Sequence, residues 1–93
     1  MTQPAPLTPS AMIGELRKNG VTHVVTLPDS ETNWMWEAMQ AEAGLDLVPV
    51  AREGESMAIA AGLIIGGKRP VVLIQSTGLF ESGDSIRGIA LDL

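Results

Sequence analysis

Glu53 and Glu55 lie where a short apolar segment passes into a stretch of helical character. The dipole of a helix favours an ionised carboxylate at the helix N-terminus, whereas burial against apolar side chains opposes ionisation. A carboxylate under such opposed influences can accept or donate a proton near neutral pH, which makes Glu53 a candidate for acid–base chemistry. Two structural alternatives stay open for Glu53, namely that it caps the helix or that it pairs with Arg52.

Two further polar segments follow apolar, β-branched stretches. Pro28-Asp29-Ser30 comes after residues 21–27, and Gln75 to Gly78 comes after residues 70–74. If the apolar stretches are parallel strands, their carboxyl ends meet at one edge of a sheet, where open α/β sheets bind their ligands. The sequence therefore predicts that these loops and Glu53 share one site.

The elements that must position this site alternate regularly along the chain. Thr8 and Pro9 begin a helix as N-cap and first helical residue, and three later helices are predicted. The order α-β-α-β-α-β-α indicates a three-layer α/β fold with a parallel sheet and right-handed crossovers. The predicted strands cover residues 21–27, 45–50 and 70–74, and the later helices run from about 30 to 43, from 55 to 65 and from about 81, with 75–78 as a polar turn.

Length and charge exclude several classes of protein. The 93 residues suffice for one small domain, predicted at 10–93 after a flexible arm at 1–9. Eleven acidic residues against six Lys and Arg give a net charge of −5, which offers no basic face to nucleic acid or to an anionic membrane. The absence of cysteine excludes a disulfide scaffold and, with no apolar run of membrane length, leads us to expect a cytoplasmic protein.

The segment that begins at Glu53 resembles the pyrimidine-binding (Pyr) domain of thiamine diphosphate-dependent decarboxylases. That family has a Glu at the end of a strand, an Ala-rich helix with a Gly nine residues later, a Gly-(Lys/Arg)-Pro step and a small polar turn with Gly. The matching residues here are Glu53, Gly62, Gly67, Pro70 and Gly78. The resemblance is greatest to the branch with the sulfopyruvate decarboxylase alpha subunit and phosphonopyruvate decarboxylase, and it implies a flavodoxin-like Pyr domain, of which this chain would be the N-terminal half.

The resemblance implies a role for each candidate residue. Glu53 would hydrogen-bond N1′ of the aminopyrimidine ring of thiamine diphosphate and so activate the cofactor, whereas Glu55 would lie in the first turn of the helix. Asp29 and Ser30 would contact a 2-oxo acid substrate, although either of them could instead cap the second helix. The residues lying along the pyrimidine would be Gln75, Ser76, Thr77 and Gly78.

The resemblance also implies a partner. Family members bind the diphosphate and Mg2+ through a Gly-Asp-Gly signature followed by Asn, which Gly83-Asp84-Ser85 does not match. We therefore expect no metal ligand in this chain, a diphosphate-binding (PP) domain or beta subunit as partner, a homo- or hetero-oligomer, and no activity without that partner. Arg52, Arg69 and Arg87 are candidates to bind the acid group of the substrate. Two alternatives remain, a non-catalytic truncated Pyr-like fragment acting only in oligomerisation and an unrelated α/β ligand-binding domain.

Overall fold

The computed structural model describes residues 7–30 and 32–91, in which helices alternate with three strands. The predicted order of elements is confirmed, and the third predicted helix has the predicted bounds. The first six residues of the predicted arm lie outside the described residues. The elements are α1 (Pro9–Lys18), β1 (His23–Thr26), a 3-10 turn (Asn33–Met35), α2 (Trp36–Ala41), β2 (Asp46–Pro49), α3 (Glu55–Ile65), β3 (Pro70–Leu73), α4 (Ser76–Glu81), α5 (Gly83–Ser85) and a π-helical turn (Ile86–Ala90).

The three strands form the parallel sheet that the sequence predicted, and their order in the sheet is β2-β1-β3. In the middle strand, Val24 and Val25 are fully buried and point to opposite faces. The residues aligned with Val24 on its neighbours are Leu47 and Val71, and those aligned with Val25 are Val48 and Val72. Each face of the sheet therefore carries its own row of three apolar side chains.

Helices cover both faces of the sheet. The chain passes from β1 sideways to β2 and then back across β1 to β3, so right-handed crossovers place α2 and α3 on opposite faces. Helix α1 packs on α2, and the helical segment after β3 packs on α3. The hydrophobic core lies under α1 and α2 and contains Ile13, Val21, Val24, Met35, Met39 and Leu45.

The ends of α1 follow local sequence signals. The Thr8 hydroxyl accepts a hydrogen bond from the backbone N–H of Ala11 at 3.2 Å, which confirms Thr8 as the N-cap. At the other end, Gly20 has a φ of +75°, a left-handed conformation that glycine adopts without strain. Among the described residues, no helix is long and apolar enough to cross a membrane.

Two local predictions were wrong. Gln75 to Gly78 was predicted to form a turn before a helix near Glu81, but α4 begins at Ser76 and ends at Glu81. Gly78 misled the prediction because the glycine serves a close contact inside a helix and not a change of chain direction. The second helix does not begin at Asp29 or Ser30 either, since regular hydrogen bonding starts only at the 3-10 turn.

Candidate functional site

Hydrogen bonds join the carboxyl ends of all three strands. The backbone N–H of Val50, directly after β2, donates to the carbonyl of Thr26 at the end of β1 at 2.9 Å. The Thr26 hydroxyl donates to the carbonyl of Leu73 at the end of β3 at 2.7 Å, and Thr26 is fully buried. The loops that leave the three strands therefore start from one fixed edge.

The connections from β1 and β3 leave this edge toward opposite faces of the sheet. The chain continues from β1 to α2 on the face of the hydrophobic core and from β3 to α4 on the face of α3. Between two such neighbouring strands the loops diverge and leave a crevice, which is the usual ligand site of open α/β sheets. The crevice between β1 and β3 is therefore the candidate site.

The turn after β2 brings Glu53 to the first residues after β3. Glu53 is half-buried, and its side chain fills the space beside Gly78 in which a Cβ atom would stand. A Cβ atom at Gly78 would overlap Cγ of Glu53 and would lie 3.0 Å from its Cδ and Oε1 atoms. Only glycine leaves room for the Glu53 side chain, so the two residues that the resemblance singles out are in direct contact.

The structure gives Glu53 neither of the two structural roles that the sequence left open for it. Helix α3 has no side-chain cap at Gly54, and Oε1 of Glu55 accepts the backbone N–H groups of Ala51 at 3.0 Å and Arg52 at 2.9 Å. Arg52 pairs with Glu81. Within the part of the chain that the structure describes, the Glu53 carboxylate has no hydrogen-bond or ion-pair partner.

Hydrogen bonds from Ser56 to the Glu53 carbonyl hold the Glu53 turn. The Glu53 carbonyl accepts hydrogen bonds from the Ser56 backbone N–H at 3.0 Å and from the Ser56 hydroxyl at 2.6 Å. Ser56 is fully buried in the first turn of α3. The main chain at Glu53 is thus anchored to a helix, while its side chain projects toward Gly78.

Glu81 is a site residue that the sequence analysis missed. Both Nε and Nη2 of Arg52 donate to Oε1 of Glu81, the first at 2.7 Å, and the backbone N–H of Gly54 donates to Oε2 at 2.5 Å. These hydrogen bonds, from Arg52 above all, hold the pKa of the Glu81 carboxyl below its ordinary value of 4.5. Contact with Glu81 raises the pKa of Arg52. No sequence signal links a helix C-terminus to a turn 29 residues earlier.

The remaining predicted site residues lie at the same edge with different surroundings. Oδ1 of Asp29 accepts the backbone N–H of Thr32 at 3.0 Å and its hydroxyl at 3.1 Å, so this carboxylate shapes its own turn. Ser30 is exposed. Ser76 and Thr77 are exposed in the first turn of α4, and Gln75 is the half-buried residue that precedes it.

The arginines proposed for substrate binding are not equivalent. Arg69 lies at the opposite edge of the sheet, where its backbone N–H donates to the Thr22 hydroxyl at 2.9 Å. Arg87 pairs with Asp84 three residues earlier, whereas Arg52 belongs to the Glu53 turn itself and pairs with Glu81. No group of three or more His, Asp or Glu side chains that could hold a metal ion occurs among residues 7–30 and 32–91.

Fold and site together define an α/β domain with a candidate ligand site at the carboxyl edge of a parallel sheet. A family model described as the N-terminal TPP binding domain of thiamine pyrophosphate enzymes matches residues 8–90. The chain belongs to this family.

Three similar curated proteins are named sulfopyruvate decarboxylase subunit alpha. The protein of Methanothermobacter thermautotrophicus is 30% identical over 80 residues, which are 86% of this chain and 47% of the relative. That of Methanocaldococcus jannaschii is 25% identical over 80 residues, covering 86% and 46%, and that of Methanococcus maripaludis is 28% identical over 71 residues, covering 76% and 41%. The chain thus spans about half the length of the curated relatives it matches.

Proposed function

We propose that this chain is the pyrimidine-binding part of a thiamine diphosphate-dependent 2-oxo acid decarboxylase. The single observation that carries the proposal is the Glu53 carboxylate, which lies at the crevice against Gly78 without a partner among the described residues. Family membership points to the cofactor, and the names of the relatives point to decarboxylation of a 2-oxo acid such as sulfopyruvate. Phosphonopyruvate is an alternative substrate of the same chemical class.

The residues at the crevice fit the aminopyrimidine ring of the cofactor. Glu53 offers an acceptor oxygen for a ring N–H and would hold that proton, and Gly78 leaves the space in which the Glu53 side chain lies. Gln75, Ser76 and Thr77 would lie along the ring, and Asp29 and Ser30 would face the substrate from the end of β1. When bound, thiamine diphosphate supplies the electron sink that accepts the electron pair released as CO2 departs.

A partner completes the proposed enzyme. The relatives are named as alpha subunits. Leu79 and Phe80, next to Gly78 in α4, are 51% and 84% exposed, and a partner that covers them would also close the crevice. We propose that this partner is a diphosphate-binding domain or beta subunit that holds the diphosphate and Mg2+, and that the complex acts in the cytoplasm.

The test is a comparison of Glu53→Gln with the parent chain, each co-expressed with a diphosphate-domain partner. In the presence of thiamine diphosphate and Mg2+, we expect the variant to lose about a hundredfold or more in CO2 release from sulfopyruvate, because the amide is no longer an ionised acceptor. Glu37→Gln, an exposed carboxylate on α2, is the matched control and should keep the parent rate.

Native mass spectrometry of the same samples separates the two functions left open by the sequence. A mixed complex that carries the cofactor mass supports the decarboxylase. A chain that only self-associates, with no cofactor mass, supports the non-catalytic fragment. Near-parent turnover by the Glu53→Gln complex contradicts the assignment of Glu53.

A further inference from the structure

The position of the Glu53 side chain depends on other residues. Among the described residues its carboxylate has no hydrogen-bond partner, so its position depends on the backbone of the turn and on the contact with Gly78. Two hydrogen bonds hold the turn at Gly54. Its N–H donates to Oε2 of Glu81 at 2.5 Å, and its carbonyl accepts the Ser85 hydroxyl at 2.6 Å.

Both hydrogen-bond partners of Gly54 belong to the segment that follows β3. Glu81 ends α4, and Ser85 ends α5. Gly78, which Glu53 touches, lies one helical turn before Glu81 in the same helix. The segment after β3 therefore determines both the place of the Glu53 backbone and the surface against which its side chain lies.

Arg52 orients the Glu81 carboxylate for this task. Its Nε and Nη2 atoms donate to Oε1, which leaves Oε2 for Gly54, so each oxygen of Glu81 has a separate partner. We propose that Glu81 is a positioning residue for Glu53, acting through the Gly54 N–H group, with Arg52 as its support. The effect on catalysis rests on the proposed function, whereas the placement of the turn does not.

An ordinary surface ion pair is the competing explanation. Arg52 and Glu81 side chains are 69% and 32% exposed, and pairs of this kind contribute little to stability. The double variant Arg52→Glu/Glu81→Arg separates the two explanations because it retains opposite charges but leaves no acceptor for Gly54 from residue 81. If the two residues only form an ion pair, the exchange restores the properties of the parent chain. If Glu81 positions the turn through the Gly54 N–H group, the exchange does not restore them.

The first experiment uses NMR on the full chain without cofactor. In Glu81→Ala and in the charge-exchanged double variant, we expect the Gly54 amide to exchange with solvent about tenfold faster or more and the Glu53 carboxyl carbon to shift. Glu42→Gln, which breaks the ion pair with Arg17, is the matched control and should change neither signal. If Glu81→Ala does not fold, Glu81→Gln replaces it, with the same expected direction.

The second experiment uses the complex with partner, thiamine diphosphate and Mg2+. We expect Glu81→Ala to lower kcat about tenfold to a hundredfold with little change in KM for the cofactor, because a displaced catalytic group loses rate more than binding. Unchanged Gly54 exchange in Glu81→Ala, or restoration of the parent signals by the double variant, overturns the proposal. Either result leaves the Glu53→Gln test untouched, so the two proposals fail separately.

Discussion

On the face of the sheet under α1 and α2 the helices bury large apolar side chains, whereas on the face under α3 the residues that the helices bury are small or polar. Met35 and Met39 are 2% and 0% exposed on the first face. On the second face the fully buried residues include Ser56 and Ser82, whose hydroxyls donate to the carbonyls of Glu53 and Gly78. We therefore expect the helices of the first face to contribute more to stability, whereas the candidate site is built on the second face.

The difference has a physical reason. Apolar packing stabilises in proportion to buried area but does not fix direction, whereas hydrogen bonds to backbone carbonyls define positions more narrowly. Small residues such as Ala60 also let α3 lie close to the strands. A carboxylate that must meet a ligand at hydrogen-bond distance is better served by the second kind of packing.

The largest expected effect on stability comes from the apolar face. Met39→Ala should lower the free energy of unfolding by about 2–5 kcal/mol, because it removes a fully buried side chain and leaves a cavity. Ile59→Ala, at a half-buried position of α3, should cost about half as much or less. Urea denaturation measures both. Equal losses of unfolding free energy in the two variants would show that side-chain packing on the two faces contributes equally to stability.

A second prediction concerns the polar face, where site geometry and stability should separate. Gly78→Ala should leave stability within about 1 kcal/mol of the parent, because alanine favours a helix while the new Cβ displaces Glu53. Under the proposed function, the affinity of the partner complex for thiamine diphosphate should fall about tenfold to a hundredfold. Isothermal titration calorimetry of the complex and urea denaturation of the chain measure the two quantities.

Gly14→Ala is the control for this substitution. Gly14 lies in α1, and a Cβ atom there meets no atom within 4 Å. We expect a small gain in stability, about 0.5–1 kcal/mol, and parent cofactor affinity. If Gly78→Ala also keeps the parent affinity, the contact between Gly78 and Glu53 has no role in binding.

The smallest expected effect is a dependence of stability on pH. The pKa of Glu81 is held below 4.5 in the folded chain, above all by hydrogen bonds from Arg52, so this carboxylate stabilises the fold above its unfolded pKa. The contribution is lost as the pH falls through the lowered pKa. Melting temperatures of the parent and Glu81→Gln should therefore differ near pH 7 and converge as the pH falls through the lowered pKa of Glu81. A gap that stays constant over this range contradicts the assignment.

Much of the fold follows from local patterns. Short apolar stretches separated by caps and glycines predicted all three strands and their parallel arrangement, because a strand and a crossover helix are each encoded within a few consecutive residues. The bounds of α3 were predicted correctly from Glu55 and the Gly66-Gly67 end. The position of Glu53 at a strand–helix junction also marks it, from residue type and spacing alone, as a candidate for acid–base chemistry.

Local sequence patterns could not predict contacts between residues that are far apart in the chain. Gly78 was interpreted as a turn residue because glycine marks both turns and close contacts, and only the approach of Glu53 from β2 distinguishes them. The exposure of Phe80 likewise depends on how the helical segment after β3 packs on α3 and not on its neighbours in sequence.

The sequence by itself determined the order of the elements, the class of fold and the carboxylate that could do chemistry, because these depend on residue type and short-range spacing. Tertiary structure decided which of the carboxylates at this edge lacks a hydrogen-bond partner among the described residues. Glu55 holds the loop, Glu81 holds Gly54 and Arg52, and Glu53 projects toward Gly78. The reason is that partners on β2 and β3 loops meet only when both strands pack against β1, which no local pattern records.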